Sequence, residues 1–218
     1  MTLVRCTSIL AALAIVLPIM LASAIRAQSP GPVPAAEPTL AETTQWLDEY
    51  LPQLTMSLVT TMTFTDRKKD NTRNFTDSEQ VTAAKFTGCS LALEIRAINV
   101  VGGSATTTTT SYVVPFDKLA SIDLSQQNRN SETIRNHYFT YQPASFFTLT
   151  LTAKQPVILT SMRMTDSDGS AINAGPPGYD RGAVVKINAD DQALLQRISK
   201  AMHHALDLCA AAAKPEPF

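Results

Sequence analysis

The chain is poor in the residues that most often carry chemistry. Its three histidines are His137, His203 and His204. Neighbours on a helix point about 100° apart, so His203 and His204 cannot share one metal ion, and no His/Cys/Asp/Glu set has ligand spacing except His203–Asp207. That pair reads as a surface hydrogen bond or ion pair, so no metal is expected. Three cysteines without a C-x-x-C pair leave no zinc-finger or dithiol redox motif. No G-x-S-x-G elbow and no Ser-x-x-Lys at a helix start is present. A triad drawn from Ser145, His137 and Asp166 has no local motif behind it. No catalytic residue and no cofactor is therefore assigned; a non-enzymatic reading leads, with a hydrolase whose active site follows no motif as a further alternative.

Charge is also scarce. Lys plus Arg number 18 against 19 Asp plus Glu, a net charge of −1. Nucleic-acid binding needs a basic excess on one face, and none is expected here. Asp166-Ser167-Asp168-Gly169 lacks the glycine position and closing glutamate of a calcium loop, and reads as a tight turn. Gly102-Gly103 precedes a strand, where a phosphate-cradling loop opens a helix. It too is a turn.

What the chain does have begins with a leader. Arg5 precedes an apolar run from Ile9 to Leu21, and Ala22-Ser23-Ala24 and Ile25-Arg26-Ala27 each end in the small residue that signal peptidase requires. The run is shorter than the ~20 residues of a spanning helix. Residues 1–27 are read as a signal peptide, cleaved after Ala27 with Ala24 as the alternative, and the protein as exported, periplasmic or secreted. Cys6 precedes the apolar core, which argues against lipid anchoring, and no later segment is apolar enough to span a bilayer. Loss of Arg5 and Arg26 takes Lys plus Arg from 18 to 16 against 19 acids, a net charge of −3.

Cys89 and Cys209 then remain. An even pair in an exported chain points to a disulfide, the other reading being two separately buried thiols.

Residues 28–38, with four prolines, read as a disordered spacer. A single β-rich domain with flanking helices is expected over 39–212, with a tail at 213–218. Thr39 and Glu42 form a capping-box pattern, with Leu47, Tyr50, Leu51 and Leu54 at helical spacing and Trp46 as an anchor on the body. From Met56 the residues become β-branched, and about seven antiparallel strands are expected up to Ile187. The segment 66–79 reads as a polar loop, and Thr106 to Thr110 as a threonine-rich edge strand. The chain closes on an amphipathic helix, Asp190 to Cys209, with Asn188 as N-cap and a stripe of Leu194, Leu195, Ile198, Ala201, Met202, Ala205, Leu206 and Cys209.

A strand-rich body ended by one helix resembles the pleckstrin-homology-like superfold, a bent seven-stranded barrel capped by its C-terminal helix. The segments Thr39 to Leu47 and Lys200 to Cys209, with Pro217-Phe218, resemble a type of exported bacterial protein with a TLxET…WL helix and a kAl.HA..lC…PF ending. The resemblance implies architecture and export, and brings no site residues.

The functional expectation is a non-enzymatic binding or interaction module of the cell envelope, its partner an unnamed protein or envelope ligand. The alternative is a small-ligand or anionic-lipid carrier using the barrel or its basic loop. That loop supplies the candidate ligand-binding residues, Arg67, Lys68, Lys69 and Arg73, through weak contact with anionic surfaces.

Overall fold

The structure is a computed structural model that describes residues 37–66, 69–135, 137–172 and 178–212. The expected leader, most of the spacer and the tail lie outside the described residues. Helix α1 (Leu40–Tyr50) and a 3-10 turn (Leu51–Gln53) lead into strands β1 (Thr55–Asp66), β2 (Lys69–Thr87), β3 (Ser90–Val101) and β4 (Ser104–Pro115). A second 3-10 turn (Phe116–Lys118) precedes β5 (Leu119–Asn128), β6 (Glu132–Ile134), β7 (His137–Gln142), β8 (Ser145–Ala153) and β9 (Ile158–Thr165). Strands β10 (Asp180–Gly182) and β11 (Val184–Ala189) then enter helix α2 (Gln192–Ala212).

The mainly β architecture with a helix at each end is as expected. The seven-stranded barrel is not. Eleven strands among the described residues form two open sheets, ordered β10-β9-β4-β3-β2-β1-β7-β6 and β11-β8-β5. The large sheet ends at each edge in a three-residue strand, which limits edge pairing without closure. The threonine-rich β4 is an interior strand between β3 and β9, not an edge. Its hydroxyls alternate across both faces of the sheet, which a β-branched residue tolerates without needing an edge.

Helix α1 starts as the capping box requires. The Thr39 hydroxyl accepts from the Glu42 N–H at 3.3 Å, and the Glu42 carboxylate accepts from the Thr39 N–H at 2.8 Å. The Thr39 N–H foremost, and then its hydroxyl, which donates to the same carboxylate at 2.8 Å, hold the Glu42 carboxyl below its usual range. The start of α2 differs from expectation. Asn188 stays in β11, paired with Thr148, and Asp191 accepts from the Leu194 N–H at 2.9 Å as the cap. Pairing of β11 with β8 runs through Ala189, so the chain cannot turn helical before that ladder ends.

The α2 stripe is buried at Leu195, Ile198, Met202, Ala205 and Cys209. It packs on α1 and the small sheet and joins one core with Leu47 and Leu51 of the first helical segment. Leu91, Leu93, Ile95 and Val114 enter that core from the large sheet, and Ile122, Leu149, Leu151 and Ile187 from the small one. Burying one such side chain contributes roughly 1.5–3 kcal/mol, so this shared interior is the main source of stability. Trp46 is the expected anchor. It stacks on Tyr50 at 4.5 Å, and the Arg197 guanidinium of α2 lies 5.3 Å from its ring.

Cys89, in the turn between β2 and β3, is bonded to Cys209 near the end of α2, with Cα atoms 5.7 Å apart. A second tie joins the sheets. Glu79 of β2 accepts from the Asn188 N–H at 3.1 Å and its side-chain amide at 3.0 Å, while Thr148 donates to Asn188 Oδ1 at 2.8 Å. Asp190 accepts from the Ser57 N–H at 2.9 Å and so anchors the entry to α2 on β1.

Candidate interaction surface

The expected loop 66–79 is a correction that creates the site. From Lys69 onward these residues are strand, paired with β1 from Asp66↔Lys69 to Thr55↔Gln80. Residues 69–87 contain neither glycine nor proline, so nothing interrupts the ladder despite their polarity. Pairing of β2 with β3 stops at Phe75↔Val101, because the chain turns at Gly102-Gly103, where both φ values are positive. Six residues, Lys69 to Asn74, therefore run on beyond β3, with β1 as their only ladder partner among the described residues. At ~3.4 Å per residue this extension is about 20 Å long. On the other side of β1, β7 pairs from Val59↔Gln142 to Phe64↔His137, and β6 pairs with β7. The projecting ribbon thus has the order β2-β1-β7-β6.

Register divides its faces cleanly. Met62 pairs with Arg73 and Phe139, and Phe64 with Asn71 and His137, and Ile134 opposes His137. Directly paired residues share a face. One face of the ribbon therefore carries Met62, Phe64, Phe139, His137 and Ile134, together with Arg73, Asn71 and Glu132. The opposite face carries Thr61, Thr63, Thr72, Asn74, Tyr138 and Thr140, and Thr61 donates to Asn74 Oδ1 at 3.1 Å.

The apolar face is a continuation of the core side. Alternation along β1 places Met56 and Leu58 on it, both buried beside Phe146 with Tyr141 packed against them. Two and three alternate positions further on, Met62 and Phe64 belong to neither buried cluster among the described residues. They are half-buried, as is Phe139, while Ile134 is 47% exposed. Phe64 and His137 rings lie 5.6 Å apart, and the Arg73 guanidinium sits 5.5 Å from the Phe64 centroid. The His137 Nδ1 lies 2.9 Å from the carbonyl oxygen of Arg135, a residue held at φ +47° in the β6–β7 turn. That left-handed conformation is uncommon for arginine.

At the foot of the ribbon, Asn128, Arg129, Asn130, Ser131, Glu132 and Tyr141 line a polar cleft of about 400 Å³. Arg129 lies 5.4 Å from the Tyr141 ring and 5.7 Å from that of Phe146. The Tyr141 hydroxyl donates to Glu132, a bond that pushes its ionisation above the ordinary tyrosine range. A smaller depression of about 200 Å³ is bounded by Glu79 and Asp190, whose carboxylates are already engaged by Asn188 and Ser57.

Of the four sequence candidates, Arg67 and Lys68 lie outside the described residues. Lys69 and Arg73 are exposed on β2 rather than in a loop, and the four-residue separation places them on the ribbon's apolar side. Sequence reading missed Phe64, His137, Phe139 and Ile134. The signal was the period-two alternation Met62-Thr63-Phe64 and His137-Tyr138-Phe139, whose common face only register reveals. The triad candidates do not come together as a relay. His137 engages Arg135, while Asp166 accepts from the Asp168 and Ser170 amides at 3.3 and 3.0 Å. Those amides make the expected tight turn, and the Ser170 side chain foremost holds the Asp168 carboxyl down to about 2. The His203–Asp207 pairing is replaced by His203 with the Ser199 carbonyl, 2.8 Å, since a helix carbonyl four residues back lies directly below the ring. Among the described residues no group of three or more His, Cys, Asp or Glu could hold a metal ion, and no helix is long and apolar enough to cross a membrane.

No protein-family model, no curated protein and no solved structure matches the chain.

Proposed function

We propose that the protein is an exported, non-enzymatic binding module of the cell envelope whose contact surface is the apolar face of the projecting ribbon. One observation carries the reading. The core-facing side of the large sheet stays apolar at Met62, Phe64, Phe139 and Ile134, past the point where the core covers it, while the reverse side is mostly threonine, with Asn74 and an exposed Tyr138. A two-sided composition of this kind on an exposed extension marks a surface that meets something. The Cys89–Cys209 bond is compatible with an oxidising compartment, in line with the leader read from residues 1–27.

The carrier alternative needs an interior. The two open sheets and the inner side of α2 meet in a packed core of large side chains instead, which favours a surface over a lumen. The resemblance to exported bacterial proteins belongs to this proposal too, and its motif residues have structural tasks. Thr39 and Glu42 cap α1, Leu47 enters the core, His204 donates to the Pro38 carbonyl at 2.7 Å, and Cys209 closes the disulfide. The motif secures two helices to each other and leaves contact to the ribbon.

The test is photo-crosslinking in the producing cells, with a photoreactive phenylalanine at position 64 or at position 184. Val184 is the control because it is also an exposed apolar residue, at 46%, on the other sheet. Discrete adducts at 64 and not at 184 are expected. Equal or absent labelling at both positions overturns the proposal.

A further inference from the structure

We infer that the outer face of the large sheet, the side turned away from the core, docks on the same face of a second copy. The inference goes beyond the ribbon's apolar side and does not depend on it. Register sets the outer face out in rows across the sheet. One row runs Ser57, Ser78, Ile98, Thr107 and Thr165 over β1, β2, β3, β4 and β9. The next starts on β7 and runs Gln142, Val59, Thr76, Val100 and Ala105. Two shorter rows of three, through Thr61 and Thr63, continue it along the threonine side of the ribbon. All sixteen positions are half-buried or exposed, and none belongs to either hydrophobic cluster among the described residues. Leu58, between Ser57 and Val59, is buried from the other side.

These sixteen positions carry no charged residue. At the chain's 17% of Asp, Glu, Lys and Arg, about three of them would be charged, and solvated surfaces are richer in charge than whole chains. Depletion of charge is the compositional mark of an interface centre. The chemistry then fits a second copy. A hydroxyl both donates and accepts, so a field of serine and threonine meets its own kind without polar mismatch. No like charges come together within it, whereas a charged foreign surface would lose water there and gain no partner. β-Branched side chains hold few rotamers, so ordering them costs little. Each position covers about 4.8 by 6.8 Å, which gives roughly 500 Å² in projection. That approaches the ~800 Å² of accessible surface each partner brings to a standard interface, and implies a weak, concentration-dependent dimer. Sheets packed face to face stand about 10 Å apart, and no layer among the described residues obstructs that approach.

Analytical ultracentrifugation of the whole protein, purified as the producing cells process it, tests the inference from micromolar to millimolar concentration. A dimer that grows with concentration is expected. Thr76→Lys with Thr107→Lys brings like charges together across the interface and weakens association about tenfold or more, with circular dichroism checking that the fold is kept. A photoreactive phenylalanine at position 76 supplies a second readout that needs no added charge. In the purified protein it should yield adducts of twice the chain mass, and the same probe at position 64 should not. A protein that stays monomeric throughout overturns the inference. So does a dimer indifferent to both lysines that crosslinks through position 64, since another face then holds the copies together. A monomer that gives position-76 adducts of other masses in the producing cells refutes the second copy and assigns the outer face to a foreign partner.

Discussion

Removing the covalent tie between the β2–β3 turn and α2 is the sharpest test of how this fold is held. Cys89 and Cys209 are separated by 120 positions. In the loop-closure treatment, releasing a loop of that length frees the unfolded chain by about 5 kcal/mol at 25 °C. A domain of ordinary stability has only about 5–15 kcal/mol in total. Cys89→Ala with Cys209→Ala is therefore expected to remove a third or more of the folding free energy. The native contacts around Cys209 change little, since an alanine keeps that position of the α2 stripe apolar. Urea denaturation followed by far-UV circular dichroism measures the loss, and the slope against denaturant should rise because the unbridged chain exposes more surface on unfolding. Hydrogen exchange should quicken in the last turns of α2, where residues 210–212 are exposed and Cys209 is the terminal buried contact. The denatured, non-reduced mass of the unaltered protein should lie two hydrogens below its reduced mass. A loss under about 1 kcal/mol, with unchanged exchange at the end of α2, refutes the reasoning.

Two further outcomes test the interior. Burial, and after it the charge of Glu79, pushes the Tyr112 hydroxyl above its ordinary value of 10.0. The unfolded tyrosine ionises first, so this contribution to stability is intact below about pH 10 and is lost as pH climbs through the raised value. Tyr112→Phe should flatten the fall of the melting temperature on the alkaline side, and an identical alkaline profile counts against it. Glu79→Ala leaves the Asn188 amide groups between the sheets without their acceptor and should cost about 2–3 kcal/mol in denaturant unfolding. A change below about 0.5 kcal/mol would mean that water replaces the carboxylate.

Residue chemistry alone determined the helices and the cysteine pair. A capping box, a 3.6-residue stripe and an even cysteine count are local or compositional signals, and each acts the same way in any surroundings. Thr39 to Tyr50 and the buried stripe of α2 therefore stand where periodicity placed them. Strand count and closure depend on pairing between distant segments. Residues 69–79 have a polar composition that reads as loop, and become strand because β1 offers them a complete ladder.

The contact surface was half visible for the same reason. Lys69 and Arg73 stood out as charge in the sequence, but Phe64, His137, Phe139 and Ile134 come from three strands up to 75 positions apart. Which face each side chain joins is a matter of register, and a shift of one residue would send every one of them to the threonine side. Only the folded sheet decided that these aromatics share a face with the cations, because a strand's own alternation defines two faces without saying which one the core will cover.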